Sequence, residues 1–319
     1  MWTYIIRRIL QALFILLIIT MVVFLLTHFS ADPMSQYANK QGMTAADRAA
    51  LRHSLGLDQP LPVQYFKWLG LALQGNLGYS FFSRQPVMTM ILQRLPLTLI
   101  LTGTAEVIIV IVSLLLGVIS AVKQYSALDN IVTSFSFIGF SMPIFFIALG
   151  LMNIFAVDFK GWGLPYLPTG ADIWNHNDIG QLAWHMVLPV TCLVIIQVAG
   201  YSRFLRSSIL EVLGLDYIRT ARAKGLSQRA MLYKHALRNA ALPLITIIGL
   251  DIPFLLGGAL VTESIFAWPG MGRLFWEYAQ RGDFPVVLGV LLLVSTAVVF
   301  FTIIVDVLYT LIDPRIRLT

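Results

Sequence analysis

The stretch Leu97-Thr-Leu-Ile-Leu-Thr-Gly-Thr-Ala-Glu-Val-Ile-Ile-Val-Ile-Val-Ser-Leu-Leu-Leu-Gly-Val-Ile-Ser-Ala-Val122 contains a single charged residue, Glu106. A helix needs about 20 mainly apolar residues to cross the hydrocarbon core of a bilayer, and this stretch is long enough. Five other stretches reach this length or come close to it: Ile9–Phe29, Ile131–Val157, Met186–Ser202, Ala240–Ile265 and Val286–Ile312. None alternates polar and apolar residues as barrel strands do, so the sequence predicts an all-α membrane protein with six transmembrane helices.

The overall composition supports a membrane protein. Of 319 residues, 58% are hydrophobic and 12% are charged, whereas about 25% of the residues of a soluble domain are charged. A folded soluble chain of this size still exposes about a quarter of its surface to water. With a mean hydropathy of +0.79, the chain has too little polar surface for that. The composition therefore excludes a soluble enzyme, a disordered regulator and a nucleic-acid-binding domain.

The distribution of lysine and arginine predicts that both termini are cytoplasmic. In this orientation the inner segments carry 13 positive and four negative charges, whereas the outer segments carry nine positive and eight negative charges. Lysine and arginine accumulate on the cytoplasmic side of membrane proteins. The net charge of +6 is therefore an orientation signal, and we expect no nucleic-acid partner.

The predicted spans divide the chain into four segments: an N-terminal anchor helix (1–29), an extracytoplasmic loop subdomain (30–96), a five-helix core (97–312) and a cytoplasmic tail (313–319). Arg7 and Arg8 precede the first apolar run, as basic residues do in a secretory signal. That run is too long for a signal, and no A-x-A-like cleavage site follows it, so we expect a retained anchor. The core includes a long predicted cytoplasmic loop, 203–239.

Local signals in this cytoplasmic loop predict two short helices. Asp216 is a good N-cap residue, and Tyr217–Lys224 contains strong helix formers. Gly225 fits the left-handed position that ends a helix, and Ser227 fits the N-cap of the next one. The small residues Thr220 and Ala221 would let another protein surface approach the first helix closely. Alternatively, its basic residues only satisfy the positive-inside rule, and the residues alone leave both interpretations open.

Several motifs resemble one transporter family. The run Asp216-Tyr-Ile-Arg-Thr-Ala-Arg-Ala-Lys-Gly-Leu-Ser227, with His235-Ala-Leu-Arg-Asn239 and Leu242-Pro243 after it, resembles the coupling loop in the membrane subunits of ATP-binding-cassette (ABC) importers. The similarity is greatest to the dipeptide/oligopeptide/nickel permeases. Supporting matches occur along the chain: Leu55–Pro60, Gln64-Tyr65, Gly139–Pro143, Thr262–Gly272, Asp306–Tyr309 and Asp313–Arg317. The long first outer loop is similar to that of the B-type subunit, although Arg219-Thr220-Ala221 stands where the general importer loop has Glu-Ala-Ala.

The resemblance implies a type I ABC importer permease fold in the bacterial inner membrane. It also implies four partners besides the lipid bilayer: a second permease subunit, two cytoplasmic ATPase subunits and an extracytoplasmic substrate-binding protein. The residues expected to couple to an ATPase are Tyr217, Arg219, Thr220, Ala221, Arg222, Lys224, Gly225 and Leu226. Those expected to form a loop that receives the binding protein or gates the path are Trp268, Pro269, Gly270 and Gly272. Peptides, nickel chelates, glutathione and some sugars all remain open as cargo.

The sequence contains no G-x-x-x-x-G-K-[ST] phosphate loop and no catalytic or metal-binding motif. We therefore expect no catalytic residue, metal site or cofactor in this chain, with ATP and Mg²⁺ bound by the partner ATPases. Four acidic residues lie within the predicted spans, where a charge is costly. We expect structural roles for Glu263 and Asp306. Glu106 and Asp251 could line a substrate path, support the fold, or act as coupling carboxylates in an ion-driven secondary transporter, which is the alternative function.

Overall fold

The computed structural model describes residues 2–30, 53, 58–170, 178–227, 230–241, 244, 247–249, 251 and 259–312. Within these ranges the secondary structure is helical, apart from one isolated antiparallel bridge between Tyr79 and Pro86. The helices are α1 (Trp2–Ser30), α2 (Leu61–Leu73), α3 (Val87–Val122), α4 (Ala127–Ser141), α5 (Ile144–Met152), α6 (Ile179–Leu213), α7 (Asp216–Ala223), α8 (Arg238–Ala240), α9 (Leu260–Ile265), α10 (Met271–Gln280) and α11 (Phe284–Ile312). The prediction of an all-α chain is confirmed.

Two helices adjoin π-helical turns. The segment Asn153–Asp158 continues α5 and leads into a last turn, Phe159–Gly161. The segment Met231–Leu237 leads into α8. Both segments widen the helix locally, because each backbone N–H bonds to the carbonyl five residues earlier.

Five described helical stretches are long and apolar enough to cross a membrane: Ile6–Leu26, Val87–Val122, Ile144–Gly161, Ile179–Leu213 and Phe284–Val305. They correspond to five of the six predicted spans. The remaining predicted span, Ala240–Ile265, is described only in pieces, because residues 242–243, 245–246, 250 and 252–258 lie outside the described residues. The fourth span is much longer than the predicted Met186–Ser202, because its helix continues as far as Leu213.

The third predicted span, Ile131–Val157, is wrong as a single helix. α4 ends at Ser141, and Pro143 occupies the N-cap of α5, with φ −59° and ψ 140°. A proline has no backbone N–H and disfavours the helical conformation of the residue before it. Met142 is accordingly extended, with φ −84° and ψ 130°.

The chain divides into two compact units. One contains Met1–Pro96 and Leu274–Ile304, and the other contains Leu97–Arg273 and Val305–Arg317. In the first unit α1 packs on α2 through aromatic contacts of Phe24 with Tyr65 and Trp68.

The core of the second unit is centred on α6. Its buried residues include Leu205 and Ile209 of α6, packed in one cluster with residues of α3. Glycines allow two neighbouring helices to approach α6 closely. A Cβ at Gly117 of α3 would lie 3.0 Å from the Ser202 carbonyl oxygen, and a Cβ at Gly139 of α4 would lie 3.1 Å from that of Ile195. Small residues have this role at helix contacts in membranes.

Candidate functional site

The predicted coupling segment forms a short, well-terminated helix. Gly225 has φ +78°, its N–H donates to the Arg222 carbonyl (3.0 Å), and the Leu226 N–H donates to the Ala221 carbonyl (3.3 Å). These two bonds form a Schellman motif, which confirms that Gly225 ends the helix in the left-handed conformation. The predicted N-cap is wrong by one residue: Leu215 occupies that position, and Asp216 is the first residue of α7.

One side of α7 packs against other residues of the second unit. Ile218 is fully buried, and the Tyr217 hydroxyl accepts a 2.9 Å hydrogen bond from the Asn239 amide. This bond joins α7 to α8 across 22 positions of sequence. α7 is therefore held by an apolar residue and a polar contact.

The other predicted coupling residues lie on the accessible part of the same element. Arg219, Thr220, Arg222, Lys224 and Gly225 are exposed, whereas Ala221 and Leu226 are partly buried. The Arg219 and Asp216 side chains are 3.4 Å apart but 74% and 95% exposed, so this ion pair contributes little to stability. The structure thus gathers the eight predicted residues into one short helix and its C-terminal turn, with a positively charged outer surface.

α7 follows α6 almost directly. Only Gly214 and Leu215 separate them, and their N–H groups donate to the carbonyls of Glu211 and Val212, respectively. The next bond, from the Ile218 N–H to the Leu215 carbonyl, already belongs to α7. This short, hydrogen-bonded connection ties α7 closely to α6.

A buried ion pair, which the sequence analysis did not anticipate, joins α6 to α4. Arg206 donates from Nε to Asp129 Oδ1 and from Nη2 to Asp129 Oδ2, both at 2.8 Å. Asp129 is 2% exposed, and its carboxylate also accepts from the Tyr125 N–H at 2.9 Å. The hydrogen bonds from Arg206 are the main cause that lowers the pKa of Asp129 to about 2. Ser126 is an N-cap residue that could have indicated a helix start here, but it carries no signal for Arg206.

The predicted outer segment is built around the buried carboxylate of Glu263. Glu263 Oε2 accepts from the backbone N–H groups of Gly272 (2.7 Å) and Arg273 (3.1 Å), in the first turn of α10. Glu263 Oε1 accepts from the Thr98 hydroxyl at 2.8 Å. A carboxylate at a helix N-terminus satisfies otherwise unpaired N–H groups and complements the helix dipole. The structural role expected for Glu263 is confirmed.

All four residues predicted in this segment are buried. The Trp268 indole N–H donates to the Leu97 carbonyl at 3.0 Å. A Cβ at Gly270 would lie 2.3 Å from the Glu263 carboxyl carbon, and one at Gly272 would lie 2.5 Å from Leu260 Cα. These two glycines are therefore needed for close packing around the carboxylate. Contact with a binding protein at Trp268, Pro269, Gly270 and Gly272 remains a prediction.

The two carboxylates with undecided roles occupy one region of the second unit. The Tyr201 hydroxyl donates to Asp251 Oδ2 at 2.6 Å, and Asp251 lies within electrostatic range of Glu106. Both carboxylate oxygens of Glu106 are buried, and neither has a hydrogen-bond partner among the residues that the structure describes. The Asp306 side chain lies outside the described residues. Among the described residues, no three His, Cys, Asp or Glu side chains group together as a metal ligand set.

Comparison of the sequence with known protein families shows which family the chain belongs to. The model of the family described as "Binding-protein-dependent transport system inner membrane component" matches residues 113–318, and a model of the N-terminal part of such components matches residues 1–102. The chain belongs to this family. As a binding-protein-dependent inner membrane component it is a permease subunit, located in the bacterial inner membrane and without an ATPase domain of its own.

Named relatives extend over the whole permease. The oligopeptide transport system permease protein AppB of Bacillus subtilis is 41% identical over 99% of this chain and 100% of its own length. The glutathione transport system permease protein GsiC of Salmonella paratyphi A is 40% identical over 99% of both chains. The match to a chain of a solved amino acid ABC transporter covers 72% of this chain and 94% of that one, at 16% identity and a TM-score of 0.48.

Proposed function

We propose that this permease is one of two membrane subunits of an ATP-driven importer that brings peptides, or a related small solute, into the cytoplasm. The cargo class is supported by the relatives, which are named for oligopeptide and glutathione transport. The partners in this proposal are a second permease subunit, two cytoplasmic ATPase subunits and an extracytoplasmic substrate-binding protein. ATP and Mg²⁺ bind to the ATPases, and this chain holds no cofactor.

The observation that carries the proposal is the construction of α7. A short helix with an exposed basic surface, fastened on its other side by Ile218 and Tyr217, suits a rigid contact with another protein. In the proposed cycle, ATP draws the two ATPase subunits together, and each ATPase moves the α7 helix docked on it. The Gly214-Leu215 connection passes this movement to α6, and the Asp129–Arg206 pair passes it from α6 to α4.

The substrate path in this proposal includes Glu106 and Asp251. A carboxylate within a membrane span costs about 2.5–3.5 kcal/mol on insertion scales, so it should face protein or a water-filled cavity. Tyr201 stabilises Asp251, whereas Glu106 has no comparable partner in the described part of the chain. An unpaired carboxylate on the path would attract the ammonium group of a peptide. The ion-driven alternative receives no support from the family, whose members depend on a binding protein.

In this proposal the segment Trp268–Gly272 gates the substrate path. Because its side chains are buried, it would do so by moving together with the helices that hold it. Glu263 connects the first turn of α10 to Thr98 of α3, so the segment would move with these helices. Alternating access would then consist of rigid-body rocking of helices around a site near the middle of the membrane.

Purification and reconstitution test the proposal. A permease of this kind should co-purify with stoichiometric ATPase chains and a second permease. Proteoliposomes containing the complex should accumulate peptide only when ATP and the binding protein are both supplied. Uptake by this chain alone, driven by a proton or sodium gradient, would contradict the proposal and support a secondary transporter.

A further inference from the structure

An arginine lies between two aromatic rings at one corner of the first unit. The Arg281 guanidinium is 4.3 Å from the centroid of the Phe82 ring and 5.6 Å from that of Tyr278. Phe82 is 65% exposed, and Arg281 is exposed as well. We refer to Phe82, Arg281 and Tyr278 as the outer stack. Both segments that form it belong to loops whose charge pattern predicts an extracytoplasmic position.

The outer stack is fixed by buried hydrogen bonds. Asp283 is 1% exposed, and its Oδ2 accepts from the Ser80 hydroxyl at 2.6 Å and from the Phe82 N–H at 2.9 Å. On the Arg281 side, Gly282 has φ +67°, and the Asp283 N–H donates to the Tyr278 carbonyl at 2.9 Å. The turn that carries Phe82 and the helix end that carries Arg281 are therefore held together before any partner binds.

The exposed charge of this corner is positive. Arg84, in the same turn as Phe82, is also exposed. Within the described part of the chain, neither Arg84 nor Arg281 forms an ion pair. Of the two acids nearby in sequence, Asp283 is buried and already bonded to the turn, and Glu277 is only partly exposed and has a partner of its own. A protein that binds this corner should therefore present acidic side chains.

We infer that the outer stack is the docking surface for an acidic edge of the substrate-binding protein. Arginine and aromatic residues are enriched among the side chains that contribute most to protein–protein binding. A prearranged stack binds without a large entropic cost of ordering, and its charge accelerates association with an acidic partner. The inference rests on the proposed function, since the family's transport depends on a binding protein. It assigns the docking contact to exposed residues, whereas the side chains of Trp268–Gly272 are buried.

The test measures binding of the binding protein to the complete complex in nanodiscs of zwitterionic lipid. We expect Arg281→Glu to raise the dissociation constant about tenfold, because it replaces attraction by repulsion. Phe82→Ala should raise it several-fold. ATPase activity without the binding protein should not change. The difference between wild type and Arg281→Glu should shrink at high salt, since salt screens exposed charges.

Lys67→Glu is the matched control. Lys67 is an exposed residue of α2 in the same unit, and its reversal produces the same change of charge. It should leave binding at the wild-type level. Equal weakening by Lys67→Glu and Arg281→Glu would overturn the inference, because it would indicate only a general effect of charge. If Arg281→Glu fails to assemble, the test uses Arg84→Glu, in the turn that carries Phe82, and compares its dissociation constant with that of Lys67→Glu.

Three further results would also overturn the inference. The first is an unchanged dissociation constant in Arg281→Glu and Arg84→Glu. The second is an effect that requires anionic lipid in the nanodiscs, which would assign the surface to lipid headgroups. The third is loss of the second permease from both variants, which would make the corner an interface between permeases. A wild-type complex that the binding protein fails to stimulate would instead contradict the proposed function itself.

Discussion

The carboxylate of Asp129 and the guanidinium of Arg206 face each other in two hydrogen bonds of 2.8 Å, although 77 positions separate them in the sequence. Asp129 lies in the first turn of α4, and Arg206 lies in the part of α6 that leads to α7. A bidentate arginine–carboxylate pair fixes orientation as well as distance. In the proposed cycle the pair would therefore make α4 follow a movement that enters the protein at α7.

Asp129→Asn should weaken both stability and coupling. An amide cannot accept both arginine bonds, so the partly buried Arg206 loses its partner, and we expect the unfolding temperature to fall by about 2–4 °C. ATP hydrolysis should continue with fewer substrates imported per ATP. Thermal unfolding of the purified complex and uptake per ATP in proteoliposomes measure the two effects. Asp58→Asn is the control, because it removes an exposed ion pair outside α7 and should change neither quantity.

The pH dependence of this pair follows from the lowered pKa of Asp129. Its ordinary value of 3.8 falls to about 2 in the folded protein. A carboxylate with a lowered pKa stabilises the fold above its unfolded value, and that contribution is lost as the pH falls toward the folded value. The difference in unfolding temperature between wild type and Asp129→Asn should thus be constant from pH 8 to about pH 5 and shrink below about pH 4. A difference that disappears near neutral pH would contradict the ion-pair assignment.

Gly225→Ala should impair coupling through the backbone. No atom lies within 4 Å of the position that a Cβ would occupy, so the strain comes from the φ of +78°. A left-handed conformation costs a residue other than glycine about 1–2 kcal/mol. We expect normal membrane insertion and a lower ratio of uptake to ATP hydrolysis, with a larger loss in Gly225→Pro. Gly163→Ala is the control: its φ is +71° and its surroundings are also open, but it lies far from α7 in sequence. Wild-type uptake in Gly225→Pro would count against coupling through α7.

Gly270→Ala should disturb the segment around Glu263. The new Cβ would lie 2.3 Å from the Glu263 carboxyl carbon, so the carboxylate must move and release its bonds to α10. Loss of a bond to a buried polar group costs about 1–3 kcal/mol. The unfolding temperature and the uptake rate should both fall. Gly103→Ala in the same unit meets no atom within 4 Å and should be neutral or slightly stabilising. Equal behaviour of the two variants would show that the Gly270 contact is unimportant.

Glu106→Gln separates the proposed roles of the carboxylates in the membrane. Removing the charge of an unpartnered side chain should leave assembly intact. If Glu106 attracts the peptide ammonium group, the KM for peptides with a free amino terminus should rise, while N-acetylated analogues should be unaffected. Asp251→Asn should retain ATP-driven uptake. Complete loss of ATP-driven uptake in Asp251→Asn, together with pH-dependent transport, would support a proton relay instead.

Local signals were sufficient for the positions of most of the membrane helices and for the end of α7. The apolar stretches predicted where helices lie, because the cost of placing a residue in lipid depends on composition over a short window. Gly225 indicated the helix end for the same local reason, since only glycine adopts a positive φ without strain. Pro143 is also a local signal for a helix break, but it lies within a continuous apolar run, and the run was interpreted as one helix.

The contacts that connect these helices required the folded chain. Asp129 could have been paired with any inner arginine, and Glu263 carried no signal that Thr98, 165 positions away, would donate to it. Ion pairs and buried hydrogen bonds form between groups that packing brings within about 3 Å, and packing depends on every helix at once. Amino-acid order was thus enough to say that the chain resides in a membrane and that a short helix ends at Gly225, and it supplied the predictions of orientation and of contact with an ATPase. How α4, α6 and α7 are joined, and which charges stay exposed at the outer stack, followed only from their arrangement in three dimensions.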